Sequence, residues 1–235
     1  MVGSDVFRAK FFSLYLPLTL YLLFLLFPFY WMLIVSFKPT NDLFEMKFNP
    51  FWVQQFTLEN YLYLFQNTDF PSWLKNTLIV SVVSTVLSLV CSIFIGYALA
   101  RLRFPGSNFL GLGIFLAYLV PPTLLFLPLA QVINELGLSN TYWALILTYP
   151  TQLIPFASWL LMGYFRTIPK EIEESAMADG CSRIQILVRM VLPLSVPGLL
   201  SAGIFCFTLC WNEFLYALIF MSSGAMKTIP VGTVS

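Results

Sequence analysis

Residues 13–36, 74–100, 109–131, 142–164 and 197–221 are five apolar stretches. Each is about as long as a helix needs to cross a hydrocarbon core, roughly 20 residues. This pattern constrains the fold more than any other feature. In lipid, every backbone N–H and C=O must be paired inside the protein, so such stretches must be helices. Composition agrees: 59% of residues are hydrophobic and 10% charged, against about 25% charged in a soluble domain. The expected fold class is all-α, a polytopic transmembrane helix bundle forming a single domain over residues 1–235. Arg8 and Lys10 precede the first stretch. That stretch is too long for a signal-peptide core and lacks a small-residue cleavage site, so it reads as the first span.

Several function classes drop out. The net charge of +1 offers nucleic acid no attraction. Histidine is absent, which removes the commonest metal ligand and general base. Cys91, Cys181, Cys206 and Cys210 form no CxxC pair and are expected as free thiols. No catalytic site and no metal site is expected. Pro121, Pro122, Pro128, Pro150 and Pro155 fall inside spans, where neighbouring helices can satisfy the carbonyls that a kink releases.

The basic residues orient the chain. With a cytoplasmic N-terminus and alternating sides, the inside holds Arg8, Lys10, Arg101, Arg103, Arg166, Lys170, Arg183 and Arg189. The outside receives Lys38, Lys47, Lys75 and Lys227, together with the acids Asp42, Glu45, Glu59 and Asp69 in a long loop over residues 38–72. This obeys the positive-inside rule. It places the polar segment 165–196 in the cytoplasm and the tail 222–235 outside.

Segment 165–196 is an elbow between two spans. In "RTIPKEIEESAMADG", Pro169 suits a first helical turn, and Glu171, Glu173 and Glu174 follow where the helix dipole favours negative charge. Ile172, Ala176 and Met177 make a narrow face, and Gly180 can end the helix in the left-handed conformation. Ser182 and Gln185 form a capping box for a second helix. Ile184, Leu187, Val188 and Val191 form its apolar stripe, and Pro193 and Pro197 are expected to stop it. The second helix could lie on a bilayer surface. The first is acidic and rich in small residues, so anionic lipid would repel it, and its surface suits a protein groove.

"EESAMADGCSRIQILVRMVLP" resembles the EAA motif of permease subunits of binding-protein-dependent ABC importers. Glu174, Ser175 and Ala176 stand for Glu-Ala-Ala. Gly180 keeps its spacing, and Met190 to Pro193 stand for the closing Ile-x-Leu-Pro. Ser175 and Met190 are mild departures. The stretches "NTLIVSVVSTVLSLVCSIFIGYALARLRFPG", "LVPPTLLFLPL" and "WNEFLYAL" resemble the carbohydrate-importer branch, which includes the maltose-transporter permeases.

The resemblance implies the following. The chain is a multi-pass permease of a bacterial cytoplasmic membrane. It carries a sugar or related polyol handed over by an extracytoplasmic binding protein. Its partners are an ATPase dimer, a second permease and membrane lipid. ATP and Mg are used by the partner ATPase, and no cofactor is bound by this chain, which lacks a GxxxxGK[ST] loop. ATPase docking falls to Glu174, Ser175, Ala176, Asp179 and Gly180, although Asp179 could simply end its helix. A sixth span follows "KTIPVG" in that family, so the chain is expected to stop short of it.

Glu213 is an acid inside the fifth span, flanked by Asn212 and Trp211. An intramembrane carboxylate faces a cavity or a hydrogen-bonding neighbour, so Asn212 and Glu213 are either pathway or gate residues or a structural bond. Gly224 and Lys227 in the tail are candidate binding-protein contacts, or part of a plain turn. Trp31, Tyr61, Trp73 and Trp143 lie near span ends and read as an interfacial belt. The competing functions are an ion-coupled secondary transporter, for which Glu213 alone is thin equipment, and a membrane enzyme, for which no nucleophile or metal spacing speaks.

Overall fold

The computed structural model describes residues 10–39, 50–102 and 104–234, without the side chain of Asn108. Arg8, Asp42, Glu45, Lys47 and Arg103 lie outside the described residues. The chain forms two compact units, residues 1–68 and 69–235. Every element described is helical.

The first unit holds a π-helical turn, Phe11–Tyr15, running into α1, Leu16–Ser36. Together they make a 26-residue apolar helix with almost no buried side chains. The segment after it is tied to its end. Asn60 Nδ2 donates to the carbonyls of Ser36 and Lys38 at 3.1 and 2.8 Å, and Lys38 Nζ donates to the Pro50 carbonyl at 3.0 Å. The expected loop over residues 38–72 contains a helix, α2, Glu59–Gln66. The spacing of Leu58, Leu62 and Phe65 is helical and accounts for it.

The second unit is built around α3, Phe70–Arg101, a 32-residue helix against the expected 74–100. Segment 102–106 leads to α4, Ser107–Tyr118, then α5, Pro122–Glu135. The expected third span, 109–131, is therefore not one helix. Its halves meet at 92°. Pro121 and Pro122 cause the corner: two consecutive N–H groups are missing, and each proline pushes its predecessor out of the helical region. Pro121 itself is extended, at φ −61° and ψ 136°.

The fourth stretch, expected over 142–164, is helical through residue 167. α6, Tyr142–Thr148, and α7, Pro150–Thr167, form one 26-residue apolar run. α7 lies along α3, and Ser81, Ser84, Ser88, Ser92 and Gly96 of α3 are buried. Small residues at spacings of three and four let two helices approach closely, which is the main route to helix association in lipid. At Gly96 an added Cβ would lie 3.1 Å from the Met162 nitrogen and 3.2 Å from the Ser158 carbonyl oxygen.

The elbow comprises α8, Lys170–Ala178, then α9, Arg183–Ile186, a π-helical turn Leu187–Val191, and α10, Leu192–Leu194. α11, Val196–Trp211, leaves it at 81°. Two expectations change here. Pro193 does not stop the helix, because the π-turn widens the ladder just ahead of it and the bend waits until Ser195. The buried side chains are Ile186, Leu187 and Val191, while Ile184 and Val188 are exposed. The same π-turn changes which residues align along the helix.

The fifth span is broken too. α11 ends at Trp211, and α12 covers Leu215–Phe220. A 3₁₀ turn, Gly224–Met226, and α13, Ile229–Gly232, follow. The core forms two clusters. One joins Val80, Leu153, Cys206, Tyr216 and Val231; the other, at the elbow, joins Tyr97, Phe165, Ala176, Ile186 and Val191. All four cysteines are free thiols.

Candidate functional site

The elbow presents two faces. Gly180 sits at φ +83° just beyond α8, the left-handed conformation that ends a helix and that other residues adopt at a cost. Asp179 is the C-cap residue of α8. Glu174, Ser175, Asp179 and Gly180 are exposed. Ala176 is 4% exposed and packs into the elbow core, so its side chain serves packing instead of an outer surface. The capping box forms as expected: Gln185 N donates to Ser182 Oγ, and Ser182 N donates to Gln185 Oε1 at 2.8 Å.

Glu173 belongs to the buried face. Its side chain and that of Arg101 are 4% and 3% exposed, and Arg101 Nε lies 2.5 Å from Glu173 Oε1. The contact is an ion pair and not an aligned hydrogen bond. Tyr97 Oη donates to Glu173 Oε2 at 3.0 Å, and Arg101 Nη2 donates to the Ile168 carbonyl at 2.6 Å. Removing one partner of such a buried pair strands a charge, at about 3–5 kcal/mol. Beside the pair opens a cleft of about 480 Å³ whose lining includes Lys170, Glu174, Met177 and Arg183.

Glu213 lies in the break between α11 and α12, which corrects its expected place within a continuous span helix. Its carboxylate accepts from Tyr216 N at 2.8 Å and Ala217 N at 3.1 Å, the first-turn amides of α12. Tyr149 Oη, from the junction of α6 and α7, donates to Glu213 Oε2 at 2.8 Å. Tyr216 Oη accepts from Gln152 Nε2 at 3.0 Å and donates to the Pro122 carbonyl at 3.3 Å. A helix start inside an apolar segment leaves N–H groups unpaired, and this carboxylate satisfies two of them. Asn212 is exposed, and its Nδ2 donates to the Thr208 carbonyl at 2.8 Å.

The sequence profile of a family described as "Binding-protein-dependent transport system inner membrane component" matches residues 92–234, from the last turns of α3 through the elbow to the tail. An inner membrane ABC transporter permease protein, YcjP of Escherichia coli, is 42% identical over 93% of this chain and 78% of its own length. The chain belongs to this family of ABC transporter permeases.

Other relatives of the permease are the diacetylchitobiose uptake system permease DasC of Streptomyces coelicolor, 36% identical over 88% of this chain and 75% of that protein, and the trehalose/maltose transport system permease MalG of Thermococcus litoralis, 35% identical over 88% and 74%. A crystal structure of a bacterial ABC transporter that imports alginate contains a chain of the same fold, at TM-score 0.83 and 21% identity, over 95% of this chain and 78% of that one.

At the opposite end from the elbow, the tail of the permease is a clasp. Trp73 Nε1 donates to the Gly224 carbonyl at 2.8 Å, so Trp73, expected as a belt residue, is a tail contact. Asn76 Nδ2 donates to the carbonyls of Ala225 and Lys227 at 2.8 and 2.9 Å, and Tyr142 Oη donates to Asn76 Oδ1 at 2.7 Å. Asn140, at φ 59°, accepts from Ser222 N and Ser223 N, both at 3.1 Å. Gly224 is exposed and Lys227 half-buried.

Sequence reasoning missed Arg101, Tyr97, Tyr149, Tyr216, Asn76 and Asn140 as structural partners. Glu173 had a signal: it stands three residues before Ala176 on one helix face. An acid on a packed face needs a cation or hydrogen-bond donors to meet it.

Proposed function

We propose that the permease is the membrane subunit of an ATP-driven importer for a sugar or related polyol. A separate ATPase dimer, which uses the ATP and Mg, docks on the exposed side of the elbow at Glu174, Ser175, Asp179 and Gly180. In this reading the elbow and the N-terminus face the cytoplasm. A second permease completes the pathway, and an extracytoplasmic binding protein delivers the solute near the tail clasp around Gly224 and Lys227. The observation that carries the reading is an exposed acidic, small-residue surface closed by a left-handed Gly180 and backed by a solid core. A partner backbone can approach closely there, against a surface with packed side chains behind it. The names of two relatives, permeases for diacetylchitobiose uptake and for trehalose/maltose transport, support a carbohydrate as cargo.

Glu213 favours the structural role over a gate. With three donors already on its oxygens, it holds α12 on Tyr149 and has little freedom to bind a coupling ion. The test is affinity purification of the tagged permease from membranes in mild detergent. An ATPase and a second permease are expected in the eluate, with ATP hydrolysis stimulated by the co-expressed binding protein. A permease that purifies alone overturns the reading.

A further inference from the structure

We propose that the Arg101–Glu173 pair is the strut through which movement of the elbow reaches the spanning helix α3, making Arg101, Glu173 and Tyr97 positioning residues of the transport cycle. The inference rests on the importer reading above.

α8 has one exposed side, with Glu174, Ser175, Asp179 and Gly180, and one buried side, with Glu173 and Ala176. A partner pressing on the first side must move the protein through the second. Apolar contacts there can slide, because they have no preferred direction. The polar contacts cannot. Both Glu173 oxygens are engaged, one by Arg101 and one by Tyr97, and the Arg101 guanidinium also holds the Ile168 carbonyl at the entrance to α8. Tyr97 and Arg101 stand four residues apart, on one face of the last turns of α3. The segment from Ile168 to Glu173 is thus gripped at both ends by a single helix.

Parting the pair would leave two buried charges without partners, so a load on α8 displaces α3 before it shears the contact. α3 packs along α7 through its small-residue face, which hands the displacement to the body of the bundle. Lys170 and Arg183 also line the neighbouring cleft, and Arg183 interacts with the Tyr97 side chain, while the ion pair with Glu173 is made by Arg101.

The test uses the complete complex, with ATPase, second permease and binding protein, in nanodiscs. Two quantities are read: how much ATPase co-purifies, and how strongly the binding protein stimulates ATP hydrolysis. Stimulation is a signal that crosses the permease between the binding protein and the ATPase, so it must pass through whatever joins the elbow to α3. Glu173→Gln, Arg101→Gln and the milder Tyr97→Phe are expected to keep the ATPase attached while stimulation falls, by about tenfold in the charge variants. Combining Arg101→Glu with Glu173→Arg is expected to recover part of it. Stimulation equal to wild type in Tyr97→Phe and in any charge variant that folds overturns the proposal. So does a loss of stimulation that tracks loss of ATPase and that the swapped pair does not recover, which is the behaviour of a folding brace. A wild-type complex without ATPase or stimulation counts instead against the importer reading.

Discussion

Gly180 and Glu174 test the elbow at the scale of single residues. A Cβ at Gly180 meets nothing within 4 Å, so the obstacle to a side chain there is the backbone conformation. Holding φ at +83° with a β-branched residue costs about 1–2 kcal/mol or forces the turn to change. Gly180→Val is therefore expected to leave the permease folded in the membrane while ATPase stimulation is lost. Glu174→Lys inverts an exposed charge and should act in the same way without touching the fold. Normal solute uptake in both variants would remove the docking role. At Glu213, a carboxamide can accept from only one side, and its NH₂ must face a backbone N–H or the Tyr149 hydroxyl. Glu213→Gln is expected to lower stability by about 1–3 kcal/mol and to reduce uptake with the ATPase still attached. Thermal unfolding in detergent at the wild-type midpoint would show that the carboxylate caps nothing.

At the scale of elements, the seam between α3 and α7 depends on small residues. Gly96→Ala must push a Cβ against the backbone of Met162 and Ser158, neither of which can rotate away. A loss of about 1–3 kcal/mol is expected. Gly113→Ala, on α4 with open space around it, is the control and should be neutral or slightly stabilising. Equal melting temperatures for the two variants would mean that the helices are not in close contact at Gly96. The elements also show how proline acts in context. Pro121 and Pro122 turn one expected span through 92°, whereas Pro155 sits inside α7 without ending it, and Pro193 is absorbed by a π-turn. What differs is whether neighbouring turns can re-pair the released carbonyls.

At the scale of the molecule, the tail is fastened to the start of α3 by Trp73, Asn76 and Thr77; Thr77 Oγ1 accepts from Ile229 N at 2.8 Å. Asn76 is 3% exposed and supports two carbonyls and one tyrosine. Asn76→Ala is expected to free the tail, with amide exchange over residues 224–232 rising at least about tenfold, the equivalent of roughly one lost hydrogen bond. Unchanged exchange would show that Trp73 and Thr77 suffice.

The spans' existence, the elbow's two helices, its capping box and the Gly180 stop were all legible in the chain. Each is a local property: apolar length, first-turn charge, or a φ that glycine alone adopts freely. The tertiary structure decided which of these residues work together. Glu173 reads as a first-turn acid until α3 brings Arg101 and Tyr97 to it across 72 and 76 positions of chain. Glu213 reads as an acid in a span until the helix breaks there and the amides of α12 claim it. The π-turn that re-registers Ile186 and Val191 leaves no sequence period of its own. Buried polar atoms must be paired, and in these cases the pairing atom is distant in sequence or belongs to backbone whose conformation only packing sets.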